Sequence, residues 1–290
     1  MIAPDRPRRS ALYLPASNAR ALEKARSLPA DAIILDLEDA VAPELKDTAR
    51  AAAVAAVQAG GFGDREVAVR ANGLDTPWGA EDLAAIAQSG AAAVLVPKVS
   101  TPDEVLACER ALAGAPAGLQ LWTMIETCAS IAQLDAIAAL AGSTRLSLWV
   151  IGTNDIAREM RAPLLPGRAP FLPLLSLAVC AARAHGLAIL DGVCNEFRDL
   201  GVFEAEAKQG VAYGFDGKTV IHPDQIAPCN AAFSPGADDL AWAQDVIAAF
   251  ALPDNAGKGA ITVGGKMTEL LHLEQARRLV AIAEQIAARS

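Results

Sequence analysis

Cysteine is present without a pattern. Cys108, Cys128, Cys180, Cys194 and Cys229 are odd in number and form no Cys-x-x-Cys pair. That disfavours a disulfide framework and a cysteine zinc site, and predicts reduced thiols in a cytoplasmic protein. The three histidines, His185, His222 and His272, lack His-Glu-x-x-His spacing, which argues against zinc. The chain has no Gly-x-Gly-x-x-Gly fingerprint and no Gly-x-Ser-x-Gly elbow. Aromatics are only 4% of residues while hydrophobic residues are 53%, much of that alanine, a balance that favours closely packed helices over a β-sandwich. Positive charge is short: 25 Lys and Arg against 34 Asp and Glu leave a formal charge of −9, which excludes a general nucleic-acid binder. No apolar run approaches membrane-spanning length. The basic start, Met1-Ile2-Ala3-Pro4-Asp5-Arg6-Pro7-Arg8-Arg9, leads into no signal-length apolar segment. A cytoplasmic protein without membrane or nucleic-acid partners is expected.

Two stretches stand out among what is there. Leu119-Gln120-Leu121-Trp122-Thr123-Met124-Ile125-Glu126-Thr127 is an apolar strand running into a carboxylate, and 146–155 repeats the pattern and ends on Asp155. A buried strand has no use for a terminal acid unless a cation meets it there. Two such acids on successive strands can share one divalent cation, with the remaining positions left to water or substrate, as Mg²⁺ prefers. Glu126 and Asp155 are therefore the expected metal ligands.

The surrounding pattern alternates strand and helix. Strands are predicted at 11–14, 31–36, 66–70, 92–97, the two stretches above, 187–190 and 213–216. Helices are predicted at 18–27, 46–58, 81–88, 101–112, 130–140, 174–185 and 200–209. Eight such units predict a parallel (β/α)8 TIM barrel over about residues 1–235. Residues 236–290 form a C-terminal helical extension: a helix at 238–250, a Gly-rich connection at 252–265 without regular period, and a last helix from 268 with Thr268 as its N-cap. Asp36, Arg70, Lys98, Glu126, Asp155, Asp191 and Lys218 all fall at or just past predicted strand ends, the face that carries active sites in such barrels.

Asp36, Glu38 and Asp39 crowd three carboxylates into four positions. They are expected to form an acidic shell around metal waters, or else a solvated loop and helix cap. Arg70 closes an apolar strand, and its fork of donors suits a carboxylate or an enolate oxygen; pairing with the acidic cluster is compatible with that role. Lys98 is either a substrate contact or a salt bridge. Gly214-Phe215-Asp216-Gly217-Lys218-Thr219 imitates a phosphate loop but has Ala212 where a glycine is needed, so that reading is rejected.

Several segments occur in a telling order: Arg9-Ser10-Ala11-Leu12-Tyr13-Leu14-Pro15; Asp36-Leu37-Glu38-Asp39-Ala40-Val41-Ala42-Pro43 with Lys46, Ala49 and Arg50; Val69-Arg70-Ala71-Asn72; Val96-Pro97-Lys98-Val99; Met124-Ile125-Glu126-Thr127; Gly152-Thr153-Asn154-Asp155; and Gly214-Phe215-Asp216-Gly217-Lys218 with Ile221-His222-Pro223. Together, from residue 9 to about 225, they resemble the citrate lyase β-subunit-like branch of the HpcH/HpaI aldolase family, which includes citryl-, citramalyl- and malyl-CoA lyases. The resemblance implies a TIM barrel, Mg²⁺ on Glu126 and Asp155, Arg70 on the substrate, and a homotrimer or hexamer. It also brings the CoA thioester and the 2-oxo acid, which composition does not. The expected substrate-binding set is Arg70, Glu126, Asn72, Lys98 and Arg9, with Arg8, Arg9 or Lys98 meeting CoA phosphates. Arg70, Asp36 and Glu269 are the expected catalytic residues. One departure stands out: the family's C-terminal Gly-Lys-Met-x-Asp pattern reads Gly265-Lys266-Met267-Thr268-Glu269 here, so the carboxylate expected to reach a neighbour's site is one methylene longer. Glu269 is either a proton donor to an enolate carbon or a helix cap.

The expected reaction is Mg²⁺-dependent carbon–carbon cleavage of a 3-hydroxyacyl thioester to an acyl-CoA and a 2-oxo acid. An aldolase on free 2-oxo acids, a CoA thioesterase, and a non-catalytic CoA-binding paralogue are the alternatives.

Overall fold

Alternate residues of each strand point to opposite faces, and in this chain both faces are buried. The computed structural model describes residues 6–289; the first five residues of the basic start lie outside them. Eight parallel strands close into a barrel in sequential order: β1 (Ser10–Pro15), β2 (Ala32–Asp36), β3 (Glu66–Arg70), β4 (Ala93–Val96), β5 (Gln120–Ile125), β6 (Leu146–Ile151), β7 (Ala188–Asp191) and β8 (Gly217–Val220). The connecting helices are α1 (Ala19–Ala25), α2 (Lys46–Ala59), α3 (Gly79–Ala87), α4 (Pro102–Ala111), the short α5 (Cys128–Ile131) and α6 (Leu134–Ala138), α7 (Thr153–Met160), α8 (Leu172–Ala184), α9 (Leu200–Tyr213) and α10 (Ile226–Phe233). Among the described residues no helix is long and apolar enough to cross a membrane. All five cysteines are free thiols.

The two faces of the strands feed two cores. Inside the barrel lie Ala11, Ala32, Ile34, Ala68, Ala93, Leu95, Trp122, Met124, Leu148, Val150 and Leu190, with Tyr13 packed against them. Small residues on most strands leave room for Trp122 to fill the barrel axis, so the interior is packed rather than hollow. The opposite parity, including Ile33, Leu35, Val69, Val94, Leu121, Ile151, Ile189 and Val220, builds the layer beneath the helices. Continuing the inward parity to the strand ends gives Asp36, Arg70, Glu126 and Gly152. The inward face thus turns from apolar to charged at the carboxyl rim.

Strand β8 departs from the sequence expectation. Val211-Ala212-Tyr213 continue α9 rather than opening a strand, and β8 begins four residues later than predicted. Its short segment Gly217-Lys218-Thr219-Val220 hides its nature, because a lysine occupies a fully buried position. Gly217 lets the barrel close: a Cβ there would lie 1.8 Å from the carbonyl oxygen of Arg8. Next to it, the amide of Lys218 donates to the Arg9 carbonyl at 3.0 Å.

Two expected rim residues are turned away from the cavity by parity. Asp191 and Lys218 are registered partners on β7 and β8 with outward parity. They meet Arg168 and Glu206 behind the barrel wall: Arg168 Nη1 is 2.7 Å from Asp191 Oδ1, Lys218 Nζ is 3.2 Å from Asp191 Oδ2, and Lys218 Nζ is 2.7 Å from Glu206 Oε1. Burial works to raise the Asp191 carboxyl, but Lys218 and then Arg168 outweigh it and hold the group below the usual carboxylate range. A depressed carboxyl stabilises the fold above its unfolded value of about 3.9 and loses that contribution as pH falls through the folded value. Asp191→Asn, which leaves two buried cations facing one acid, is expected to cost about 3–5 kcal/mol at neutral pH. Urea unfolding measures this, with the gap between the two proteins closing below pH 4; a wild-type midpoint at pH 7 would remove the cluster from the stability argument.

Residues 8–233 form one compact unit, and residues 234–289 with residues 6 and 7 form a second. The second unit contains α11 (Ala237–Ala251), a hairpin of β9 (Ala260–Val263) and β10 (Lys266–Glu269), and α12 (Leu270–Ala287). Its small core is Ala243, Val246, Ile261, Val263, Leu273 and Ala276. The hairpin corrects the expectation of an irregular connection. Its two strands are only four residues long, too short to show a period, and they turn at Gly264-Gly265, both at positive φ.

Candidate active site at the carboxyl rim of the barrel

Asp36 and Arg70 are the last residues of adjacent strands and are registered partners. The Arg70 fork closes on Asp36, with Nε to Oδ1 at 2.6 Å and Nη2 to Oδ2 at 2.7 Å. Asp36 also accepts the amides of Glu38 (2.9 Å) and Ala40 (3.1 Å), so both its oxygens are committed. Arg70 Nη1 lies 2.8 Å from Glu38 Oε2 and 3.6 Å from Asp39 Oδ2. Glu38 in turn pairs with the ammonium of Lys98. The acidic cluster therefore meets two cationic side chains, and Asp36, expected to be catalytic, braces Arg70. The guanidinium sits over the Tyr13 ring, 4.9 Å from its centroid.

Glu126 follows β5 and is 1% exposed. Its Oε1 accepts the amide of Lys98 at 2.8 Å. Lys98 has φ 55°, a left-handed conformation that costs a non-glycine residue and here turns its amide toward the carboxylate. On the other side is Gly152, where a Cβ would lie 2.2 Å from Glu126 Oε2 and 2.5 Å from Glu126 Cβ. Only glycine leaves Glu126 its place. Burial, then the nearby Glu38, push the Glu126 carboxyl up to about 8; the Lys98 amide opposes this and Asp155 adds to it. A buried acid so short of positive charge is a site that a cation would stabilise.

Asp155 lies in the first turn of α7, one turn beyond the end of β6, where the helix favours negative charge. Arg158, one turn on, holds its Oδ1 at 2.6 Å. Asp155 and Glu126 line one cavity of about 360 Å³ with Tyr13, Asp36, Asp39, Arg70, Met124, Asn154, Asn195 and Thr219, and with apolar Ile151, Val193 and Ile221. No group of three or more His, Cys, Asp and Glu side chains poised for a metal occurs among the described residues. Two carboxylates and an open cavity remain, a donor set that leaves positions for water and ligand oxygens.

Other expected site residues are elsewhere. Arg9 precedes β1 at the amino end of the barrel, where its fork holds Asp31 at 2.8 and 2.9 Å. Arg8 is there too, on Glu66 at 2.6 and 2.8 Å. Strand polarity puts both at the end of the barrel opposite the cavity. Asn72 donates from Nδ2 and from its amide to Asp82 Oδ2, at 2.6 and 2.9 Å, and does not line the cavity. Lys98, the remaining basic candidate, is on the rim. Glu269, not Thr268, is the N-cap of α12: its carboxylate accepts the amide of His272, and its own amide donates to His272 Nδ1 at 3.0 Å.

Tyr13, Met124, Gly152 and the reciprocal amide pair Asn154–Asn195 are cavity residues that were not singled out. The signal for the first three was available: each lies on the inward parity of its strand or continues it. The asparagine pair joins the first turn of α7 to the loop after β7, distant in sequence, and had no local signal.

The HpcH/HpaI aldolase/citrate lyase family model matches residues 9–223, and the model of C-C bond lyases of the TIM-barrel fold matches residues 174–286. A (3S)-malyl-CoA thioesterase of Cereibacter sphaeroides is 46% identical over 282 residues, covering 97% of this chain and 96% of its own length. The L-malyl-CoA/beta-methylmalyl-CoA lyase of the same species is 32% identical, covering 98% and 97%. The crystal structure of CitE from Mycobacterium tuberculosis in complex with magnesium, acetoacetate and coenzyme A superposes with a TM-score of 0.78 at 27% identity, covering 97% of this chain and 99% of that one.

Proposed function

Because this chain belongs to the HpcH/HpaI aldolase/citrate lyase family, a family of carbon–carbon lyases and related CoA-ester enzymes, we propose that it is a Mg²⁺-dependent enzyme acting on a short 3-hydroxyacyl-CoA of the malyl type. Hydrolysis of the thioester is the net reaction that the 46%-identical thioesterases support. The observation that carries the reading is the pairing, in one cavity, of the buried Glu126 and Asp155 with an Arg70 pre-aimed by Asp36.

When bound at Glu126 and Asp155, Mg²⁺ supplies Lewis acidity to the substrate's carboxylate and hydroxyl oxygens. The Lys98 amide and Arg158 keep the two carboxylates oriented. Arg70 offers fixed positive charge to the thioester carbonyl oxygen, where negative charge grows. Ile151, Val193 and Ile221 give the cavity an apolar wall, which strengthens those interactions. In hydrolysis, water oxygen bonds to the thioester carbon, the C–S bond breaks, and the proton goes to the CoA sulfur. Lys98 is the candidate for a CoA phosphate.

Carbon–carbon cleavage is the second reading, favoured by the match to the C-C bond lyase model and by a guanidinium suited to an enolate. There the 3-hydroxyl loses its proton, the C2–C3 bond breaks with its electron pair entering the thioester enolate, and the enolate carbon takes a proton. Glu269 of a neighbouring subunit, in a trimer or hexamer, is the proposed donor for that reading alone.

Malyl-CoA with Mg²⁺ separates the two. Free thiol is expected to appear without a 2-oxo acid, and to stop in EDTA. A 2-oxo acid without free thiol selects cleavage; co-assembling Glu126→Gln with Glu269→Ala subunits then tests the donor, since activity should partly return only if Glu269 acts in trans. Full activity in EDTA sinks the metal, and inertness toward malyl-CoA sinks the reading.

A further inference from the structure

The donors that line the cavity can be accounted for one by one on the β1–β3 side. Arg70 faces the cavity, but Nε and Nη2 each spend a hydrogen on Asp36, and Nη1 lies 2.8 Å from Glu38 Oε2 and donates to the Met124 thioether at 3.7 Å. Thr219, on neighbouring β8, donates to the Asp191 carbonyl at 3.0 Å. Asn154 and Asn195 donate to each other at 3.2 and 2.8 Å, each with one N–H spent and one left, at the start of α7 and in the loop after β7. On β1 the donor is Tyr13. Tyr13 lines the cavity, and among the described residues its hydroxyl donates to the thioether of Met124 at 3.9 Å. A thioether is a weak acceptor, so a phenol donor remains available to a ligand.

With eight strands in sequential order, β1 stands across the barrel from β5, which carries Glu126 just past its end, and the Tyr13 hydroxyl reaches to 3.9 Å from Met124 on β5. A ligand whose carboxylate and hydroxyl end lies at Glu126 and Asp155 therefore has Tyr13 and Arg70, which line the same cavity, beside its other end. For a 3-hydroxyacyl thioester, that other end is the thioester carbonyl.

We propose that the Tyr13 hydroxyl donates a hydrogen bond to the thioester carbonyl oxygen of the substrate and, with Arg70, forms the site for the negative charge that develops there. This rests on the thioester reading given above, but not on which bond is cut. Charge grows on that oxygen both when water adds to the carbon and when the C2–C3 electrons enter an enolate. The division of labour follows from chemistry: Arg70, tied to Asp36, supplies charge at a fixed position, while the phenol supplies a directional donor that is not already engaged by a carboxylate. The ring contact between the two keeps the phenol at the side of the guanidinium.

Tyr13→Phe removes the oxygen alone and keeps the ring beneath Arg70. Turnover of malyl-CoA is expected to fall about 10²-fold in kcat, with KM little changed, as for loss of one oxyanion donor. Mg²⁺ affinity by calorimetry and the thermal midpoint should match the wild type. Wild-type kcat in the variant overturns the proposal. So does a parallel loss of Mg²⁺ affinity, which would make Tyr13 a packing support for the whole site. Deuterium exchange at the α-carbon of propionyl-CoA in D₂O separates this from failure of the functional reading, because enolisation needs neither hydrolysis nor carbon–carbon cleavage. A wild-type protein that leaves malyl-CoA intact yet exchanges, with exchange slowed in Tyr13→Phe, sinks the malyl-type reading and supports the Tyr13 assignment. A wild-type protein that neither turns over malyl-CoA nor exchanges overturns both.

Discussion

Glu126→Gln is expected to abolish Mg²⁺-dependent turnover while the protein remains folded. The amide is nearly isosteric and can still accept from the Lys98 amide, so the packing around β5 survives. What is lost is one of the two negative charges offered to a divalent cation; Asp155 remains, while Asp36, in the same cavity, is committed to Arg70. Gly152→Ala tests the same site without removing a charge. The added methyl would lie 2.2 Å from Glu126 Oε2, so the carboxylate must move. A shift of about an ångström at a reacting centre can cost about 10²-fold in rate. Turnover and Mg²⁺ titration calorimetry on both variants, with circular dichroism to verify folding, decide the matter. If Gly152→Ala binds Mg²⁺ and turns over like wild type, Glu126 is not the constrained ligand proposed.

Arg70→Lys should uncouple catalysis from metal binding. Lysine keeps one positive charge but cannot reproduce the two parallel bonds to Asp36 or hold a plane over the Tyr13 ring. Its ammonium is free to settle among Asp36, Glu38 and Asp39 rather than face the cavity. A fall of about 10²–10³-fold in kcat is expected, the range for loss of a preorganised charge stabiliser. Mg²⁺ affinity should change little, because Arg70 touches neither Glu126 nor Asp155 in its hydrogen bonds or ion pairs. Should Mg²⁺ binding collapse and turnover recover at high Mg²⁺, Arg70 would instead be a counter-ion that keeps the acidic cluster from competing for the metal. Asp36→Asn is the companion control: it removes the aiming group and should move kcat in the same direction as Arg70→Lys, by a smaller factor.

Much of the architecture was legible from the residues themselves. The strand–helix alternation placed β2, β3 and α2 nearly to the residue, and the helix expected at 101–112 is α4, capped by Thr101. These are local signals, carried by periods of two and 3.6 and by caps that act on their own helix. Where the local signal was weak, expectation and structure parted. β8 was displaced by four residues because α9 continues through an apolar tripeptide and because a lysine stands in a strand buried on both faces. The β9–β10 hairpin was invisible because each strand is four residues long.

The site divides along the same line. That Glu126 and Asp155 end apolar stretches, and that Arg70 closes a third, was determined by the sequence alone, since an acid or a guanidinium at the end of a buried strand requires a partner of opposite sign wherever the strand lies. Which partner each one found was decided only by the tertiary structure. Asp36 could have faced a metal, and it faces Arg70 because β2 and β3 pair in a register that puts their last residues side by side. Asp191 and Lys218 looked like rim charges and are a buried cluster because one step in a period of two turns a side chain from the cavity to the helix layer. Arg9 looked like a phosphate contact and sits at the opposite end of the barrel, because parallel strands send everything that precedes them to one face and everything that follows them to the other. Pairing, parity and polarity are properties of strands taken together, and no single stretch of the chain contains them.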